Sequence, residues 1–257
     1  MCVYFHIGGL SIPGYGTMIV LGLFVTGVLA YLIFKKKNLC FDDFLIMEAY
    51  GFAGAFIGAK LMFIGVNINS INFAYVHTLA GFNELMGSGF VFYGGLIGAL
   101  VSVVLASKFH KIDVVTIMKS IICLLPLGHA FGRIGCFMAG CCYGIPYDGP
   151  FAVRFQEDSF APSDIDLFPV QLLEAIVLLI IALVCWLISR KKDGMQAIDA
   201  YFLMYGSARF FIEILRYDDL ERGGFWYMST SQWVSIALIV ATLARILYEK
   251  SKNLKDK

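Results

Sequence analysis

Charge is scarce in this chain. Lysine, arginine, aspartate and glutamate make up only 15% of its 257 residues, while hydrophobic residues make up 59%. An average soluble domain is roughly 45–50% apolar. The excess excludes an ordinary soluble fold and points to an integral membrane protein. Charge of one sign is lacking too: the net charge is +1, so nothing favours nucleic acid as a partner. The first thirteen residues lack a positively charged opening run. No small-residue cleavage site follows the first apolar stretch, so no removable signal peptide is expected. No low-complexity tract or internal repeat stands out. The cysteine count is odd, seven, and gives no disulfide framework by itself. Cys2, Cys40, Cys123 and Cys185 lie in or beside apolar runs, where cysteine behaves as a small hydrophobe.

What the chain does have is apolar runs of spanning length from end to end. A helix needs roughly 20 such residues to cross the hydrocarbon core. The expected spans are 14–34, 45–66, 88–107, 114–137, 170–189, 198–215 and 232–248. The fold class is therefore all-α: a polytopic membrane protein of seven transmembrane helices in a single membrane-embedded domain, 1–257. Basic residues set its orientation. Lys35, Lys36 and Lys37, then Lys108 and Lys111, then Arg190, Lys191 and Lys192, then Lys250, Lys252, Lys255 and Lys257 all fall on one side. The opposite connections carry only Arg154, Arg216 and Arg222. The N-terminus is expected outside and the C-terminus in the cytoplasm. The long outer connections, 67–87 and 138–169, are expected to form a small extracytoplasmic cap.

Ionisable residues inside a span are functional-site hypotheses by default. Residues 128–144, GHAFGRIGCFMAGCCYG, hold the densest set. His129, Arg133 and Cys136 are spaced i, i+4 and i+7 and share one helical face. An arginine fork never deprotonates and grips phosphate in bidentate fashion. A snorkelling interfacial arginine is the bland alternative, but it needs neither the histidine nor the glycine-rich turn that follows. Arg209, Glu213 and Arg216 repeat the spacing in the sixth span, where Glu213 can pair with Arg209. Gln171 and Glu174 open the fifth span on one face, either lining the same cavity or capping the helix. Lys60 reads as interfacial. Gly51, Gly54 and Gly58, and the run Tyr93-Gly94-Gly95-Leu96-Ile97-Gly98, read first as close helix packing.

Cys136, Cys141 and Cys142 admit several readings. Their C-x4-C-C spacing does not match the usual zinc pairs, so no metal is expected. An outward disulfide, a reactive thiol lowered by Arg133, and simple packing at a tight turn remain open.

Taken together, these residues resemble the bacterial prolipoprotein diacylglyceryl transferase family over nearly the whole chain. The resemblance rests on Gly14-Tyr15-Gly16, the Tyr93–Gly98 run, Gly132-Arg133 with Gly135 and Phe137, and Gly140 and Gly144. It continues in Pro169-Val170-Gln171-Leu172-Leu173-Glu174 and in Arg209-Phe210 with Glu213 and Arg216. It implies a seven-helix enzyme of the bacterial cytoplasmic membrane that works at the outer face. Such an enzyme takes the diacylglyceryl group from phosphatidylglycerol and attaches it to the lipobox cysteine thiol of a prolipoprotein, with no cofactor. By resemblance Arg133 binds the phosphatidylglycerol phosphate, Arg209 is the second essential arginine and Glu213 its neighbour. Tyr15 is the functional tyrosine of the first span, and Gly144, Gln171 and Glu174 join the substrate site. The chain departs from the family pattern at Tyr93, where many members carry histidine, at Cys136, where asparagine is common, and at Cys141, where glutamate is common. His129 is the first candidate base and Tyr93 the second. Two rivals stay open: a sibling transferase with another acceptor or lipid donor, and a small-anion transporter or receptor. The transporter would need a polar route to the cytoplasmic side.

Overall fold

The computed structural model describes residues 4–7, 10–71, 73–191, 194–217 and 224–255. Cys2, Lys192, Arg222 and Lys257, used above for cysteine usage and orientation, lie outside the described residues. The protein is all-helical apart from two small hairpins. Strands β1 (Tyr4–Ile7) and β2 (Leu10–Pro13) pair antiparallel before the first long helix, and β3 (Gly224–Phe225) and β4 (Met228–Ser229) precede the last. The helices are α1 (Gly14–Lys37), α2 (Phe41–Val66), α3 (Phe73–Val76), α4 (Leu79–Gly87), α5 (Phe92–His110), α6 (Val114–Ile121), α7 (Leu124–Ala139), α8 (Val170–Lys191), α9 (Gly194–Ile212) and α10 (Thr230–Lys255).

Five of these helices, α1, α2, α5, α8 and α10, are long and apolar enough to cross a membrane. The α6–α7 pair passes the same test as one broken span, bent by 62°. The expected fourth span is thus not one straight helix. Pro126 supplies the reason: it has no N–H to donate, and its ring crowds the carbonyl four residues back, at Ile122. Lys119 falls in the last turn of α6, just before the break. The sixth expected span is helical as α9, but Gln196, Asp199 and Arg209 interrupt its apolar run, and it is not among the helices apolar enough to cross. Large hydrophobics such as Val20, Phe24, Phe56 and Leu100 face outward, as a lipid-facing surface requires.

The chain divides into two compact units, Met1–Ile33 with Met118–Lys257, and Phe34–Ile117. In the second unit α2 packs on α5 through glycines. A Cβ added to Gly54 would strike the Gly98 carbonyl, one on Gly58 the Gly94 carbonyl, and one on Gly98 the Gly54 carbonyl. The two backbones touch, as small-residue motifs allow in membranes. Gly98→Leu should therefore cost at least roughly 1–3 kcal/mol by overpacking. Thermal unfolding of the detergent-solubilised protein would report it, and an unchanged transition would refute the contact.

Lys60 is not interfacial, as its position near a helix end had indicated. It is buried, and its Nζ donates to the carbonyls of Leu85 (2.9 Å), Ser88 (2.8 Å) and Gly89 (3.2 Å). The Phe90 ring lies 4.2 Å from the ammonium. The lysine ties α2 to the α4–α5 connection, so its charge is satisfied inside the protein. The connection 67–87 also contains helices that hydrophobic periodicity did not announce; Thr78 caps α4 by accepting from the Gly81 N–H.

In the first unit α7 packs on α8, α8 on α9, and α9 on α10. Helix α1 lies against α7, where a Cβ on Gly22 would meet the Phe131 side chain and one on Gly135 would meet Tyr15. The segment 138–169 builds a small core of its own from Phe155, Ala161 and Leu167, with Phe137, Tyr143, Val153 and Ile165 against it. A bidentate pair from Arg154 to Asp166 staples its exposed side.

Candidate active site

The first unit concentrates its buried charge at one place, and local chain chemistry explains how. Helix α8 starts where the Pro169 carbonyl accepts from Leu172 and Leu173, which puts Gln171 and Glu174 in its first turns, both fully buried. Helix α9 carries Arg209 in its last turn and passes into a 3-10 turn, Glu213–Leu215. At the start of α10 Ser229 and Gln232 form a reciprocal capping box. The Ser229 N–H donates to Gln232 Oε1 at 3.0 Å, and the Gln232 N–H donates to Ser229 Oγ at 3.3 Å. This fixes Ser229 so that its hydroxyl donates to Glu213 Oε1 at 2.8 Å.

Glu174 is the hub. Its Oε2 lies 3.1 Å from Arg133 Nε and 3.6 Å from Arg209 Nη1. Arg209 Nη2 pairs with Glu213 Oε2 at 2.7 Å and donates to Ser231 Oγ at 3.2 Å. Arg216 Nη1 stands 3.9 Å from Glu213 Oε2. Three helices and the 3-10 turn that follows α9 thus bring together three guanidiniums and two carboxylates, which leaves one positive charge over. Burying such a group is costly unless every member is paired. Here Arg133 Nε and Arg209 Nη1 face Glu174 Oε2 at ion-pair distance without a hydrogen bond, and Glu174 Oε1 is buried without one. A buried group left wholly unpaired costs roughly 1–3 kcal/mol. A half-satisfied, net-positive cluster is poorly explained as a structural tie and well suited to an anion with several acceptor oxygens.

The remaining sequence-derived residues of the first unit lie on the elements that carry this cluster or pack against those elements. His129 stands one turn before Arg133 on α7, its ring edge-on to Tyr205 at 5.5 Å. Tyr15 packs at Gly135, two residues beyond Arg133. Gln171 reaches the other way: its amide nitrogen donates to the Cys141 carbonyl at 2.8 Å. Gly144 pairs in a short bridge with Arg216, and a Cβ there would strike the Phe168 and Leu215 carbonyls. It lets two backbones touch and so seats Arg216. Tyr93 is on the first turn of α5 in the second unit, edge-on to Phe92 at 5.6 Å. Ser229 and Ser231 were not singled out from sequence. The signal was present in Ser229-Thr230-Ser231-Gln232, which carries the capping-box pattern at the head of an apolar run.

Helix α7 ends because Gly140 takes φ +75°, closing the helix on the Cys136 and Phe137 carbonyls. Beyond it Cys142 also adopts a left-handed backbone, φ +57°. These two turns fold the chain back on itself and bring the sulfurs of Cys136, Cys141 and Cys142 within 4.8 Å of one another. The thiol of Cys142 is held well below the ordinary range, by hydrogen bonds from the Cys136 and Cys141 thiols and then by the Arg216 and Arg133 guanidiniums.

A family model described as prolipoprotein diacylglyceryl transferase matches residues 2–248. A Clostridium tetani protein named phosphatidylglycerol–prolipoprotein diacylglyceryl transferase is 38% identical over 240 residues, 93% of each chain. A Clostridium perfringens protein, the second of that name, is 30% identical over 252 residues, 98% of this chain and 96% of its own. A Finegoldia magna protein of the same name is 30% identical over 251 residues, 96% of each.

Proposed function

The chain belongs to the prolipoprotein diacylglyceryl transferase family, and from that membership we propose that it moves the diacylglyceryl group of phosphatidylglycerol onto the lipobox cysteine thiol of prolipoproteins. It is a transferase. One observation carries the assignment to the charged cluster: guanidiniums from α7 and α9 meet on one buried carboxylate, Glu174, with a positive charge in excess. That is the electrostatic counterpart of a phosphate monoanion.

In the proposed reaction the phosphate of phosphatidylglycerol docks on Arg133 and Arg209. The lipobox thiol loses its proton to a base, and its sulfur attacks the glyceryl C3 carbon. The C3–O bond breaks, and glycerol phosphate leaves with the bonding electrons. Charge grows on the departing phosphate, so the arginines stabilise the transition state more than the ground state. His129, one turn from Arg133 on the same face, is the first candidate base, and Tyr93 is the second. Glu174 and Glu213 hold the two arginines in place, with Ser229 behind Glu213. Tyr15, Gly144 and Gln171 shape the surroundings.

The protein works as a multi-pass protein of the bacterial cytoplasmic membrane. The broken α6–α7 pair and α9 count as spans, which gives seven crossings. Lys35–Lys37 close α1, Lys108 and Lys111 close α5, and Arg190 and Lys191 close α8. This supports an outside N-terminus and a cytoplasmic C-terminus. The deciding test uses phosphatidylglycerol labelled in its acyl chains and a synthetic lipobox peptide. The wild-type protein in vesicles should add one diacylglyceryl mass to the cysteine and release glycerol phosphate. Transfer to a lipid acceptor instead of the peptide would favour the sibling transferase.

A further inference from the structure

Cys136, Cys141 and Cys142 take no part in the mechanism above, yet the fold gathers them. Their sulfurs lie within 4.8 Å of one another, and all three residues are half-buried and reduced. Sulfurs bound to one tetrahedral zinc at about 2.3 Å are about 3.8 Å apart. Sequence spacing argued against this arrangement, because neighbouring cysteines in extended or helical backbone point apart. The left-handed turns at Gly140 and Cys142 remove that objection. Among the described residues the group contains three ligands, all thiols. Three protein ligands with one position open to a water or substrate is the pattern of catalytic rather than structural zinc.

We infer that Cys136, Cys141 and Cys142 bind one zinc ion whose fourth position takes the sulfur of the incoming substrate thiol. The inference rests on the transferase reading, because it identifies the fourth ligand with that enzyme's nucleophile. Position supports it. Cys136 is three residues beyond Arg133 on α7, and Gln171, one turn before Glu174, holds the Cys141 carbonyl. The cluster therefore adjoins the arginine site on two elements. The chemistry is the displacement already written. The substrate thiol gives its proton to the base, and its sulfur enters the metal's coordination shell as thiolate. The sulfur then forms the bond to C3 as the C3–O bond breaks, and the thioether product, a poor ligand, departs from the metal.

The test uses the full-length protein, purified in detergent without a histidine tag. Elemental analysis should find about one zinc per chain. Alkylation should reach the three thiols only after chelation. Cobalt added to the chelated protein should produce thiolate-to-metal charge-transfer absorption, a readout needing no variant. The Cys136→Ser, Cys141→Ser, Cys142→Ser triple variant should lose both metal and absorption. Chelation should lower peptide transfer about a hundredfold, and zinc should restore it. Wild-type protein with no zinc and no cobalt band, or with two of these cysteines in a disulfide, overturns the inference. Full transfer by that metal-free protein would leave the transferase reading standing. Zinc held by the three thiols in a protein that never modifies the peptide would support the site and defeat the transferase reading instead.

Discussion

Arg133→Ala removes about a hundredfold to a thousandfold of the transfer rate, and Arg133→Lys does not restore it. Losing one preorganised donor to a developing anion typically costs 10²–10³ in rate, roughly 2.7–4 kcal/mol. Arginine has several N–H groups in one rigid fork. Its Nε faces Glu174 at 3.1 Å, which leaves the rest of the fork available to the phosphate. Lysine offers a single nitrogen on a flexible stem and cannot serve a carboxylate and a phosphate in that fashion. The measurement is labelled diacylglyceryl transfer to a lipobox peptide at saturating lipid and again at low lipid. A loss confined to low lipid would mean that Arg133 binds the substrate without stabilising the transition state. Full activity in Arg133→Ala would remove the phosphate anchor and with it the assignment of this cluster.

Glu213→Ala gives the largest loss of stability expected from any single change in the cluster. Glu213 is buried and faces Arg209 at 2.7 Å and Arg216 at 3.9 Å. Removing one partner of a buried ion pair costs roughly 3–5 kcal/mol, and Arg209 would keep the longer, 3.6 Å contact with Glu174. Glu213→Gln should fall between the alanine variant and wild type: its amide oxygen can still accept from Ser229, but the charge is gone. Ser229→Ala should cost least, roughly 0.5–2 kcal/mol, through the lost cap of α10. Thermal unfolding of the purified variants in one detergent checks the order. Equal transitions for Glu213→Ala and wild type would mean that the carboxylate is exposed to water and not part of a buried group.

The helices were legible from composition because lipid leaves little choice: every backbone polar group must be satisfied within its own segment, so long apolar runs become helices. For the same reason the starts of α1 and α8, at Gly14 and Val170, fall where their spans were expected. Legibility failed where one residue outweighed the run around it. Pro126 breaks the fourth span although its neighbours are apolar. Lys60 looks interfacial by position but finds three carbonyls inside the protein, contacts that come from residues 25 to 29 positions away. The site divides in the same way. Arg133, Arg209 and Glu213 stood out because charge in an apolar helix is conspicuous. Ser229 and Ser231 did not, since hydroxyls near a helix start usually do no more than cap it.

Sequence alone determined that this protein is a bundle of apolar helices with arginines at the ends of two of them. Those features are properties of single segments, set by hydrocarbon solvation and helical period. Only the tertiary structure decided that Glu174 of a third helix bridges both arginines, that a hairpin aims Ser229 at Glu213, and that two left-handed residues gather three thiols. Such convergence depends on crossing helices and on backbone angles at single residues, and a string of residue types carries neither.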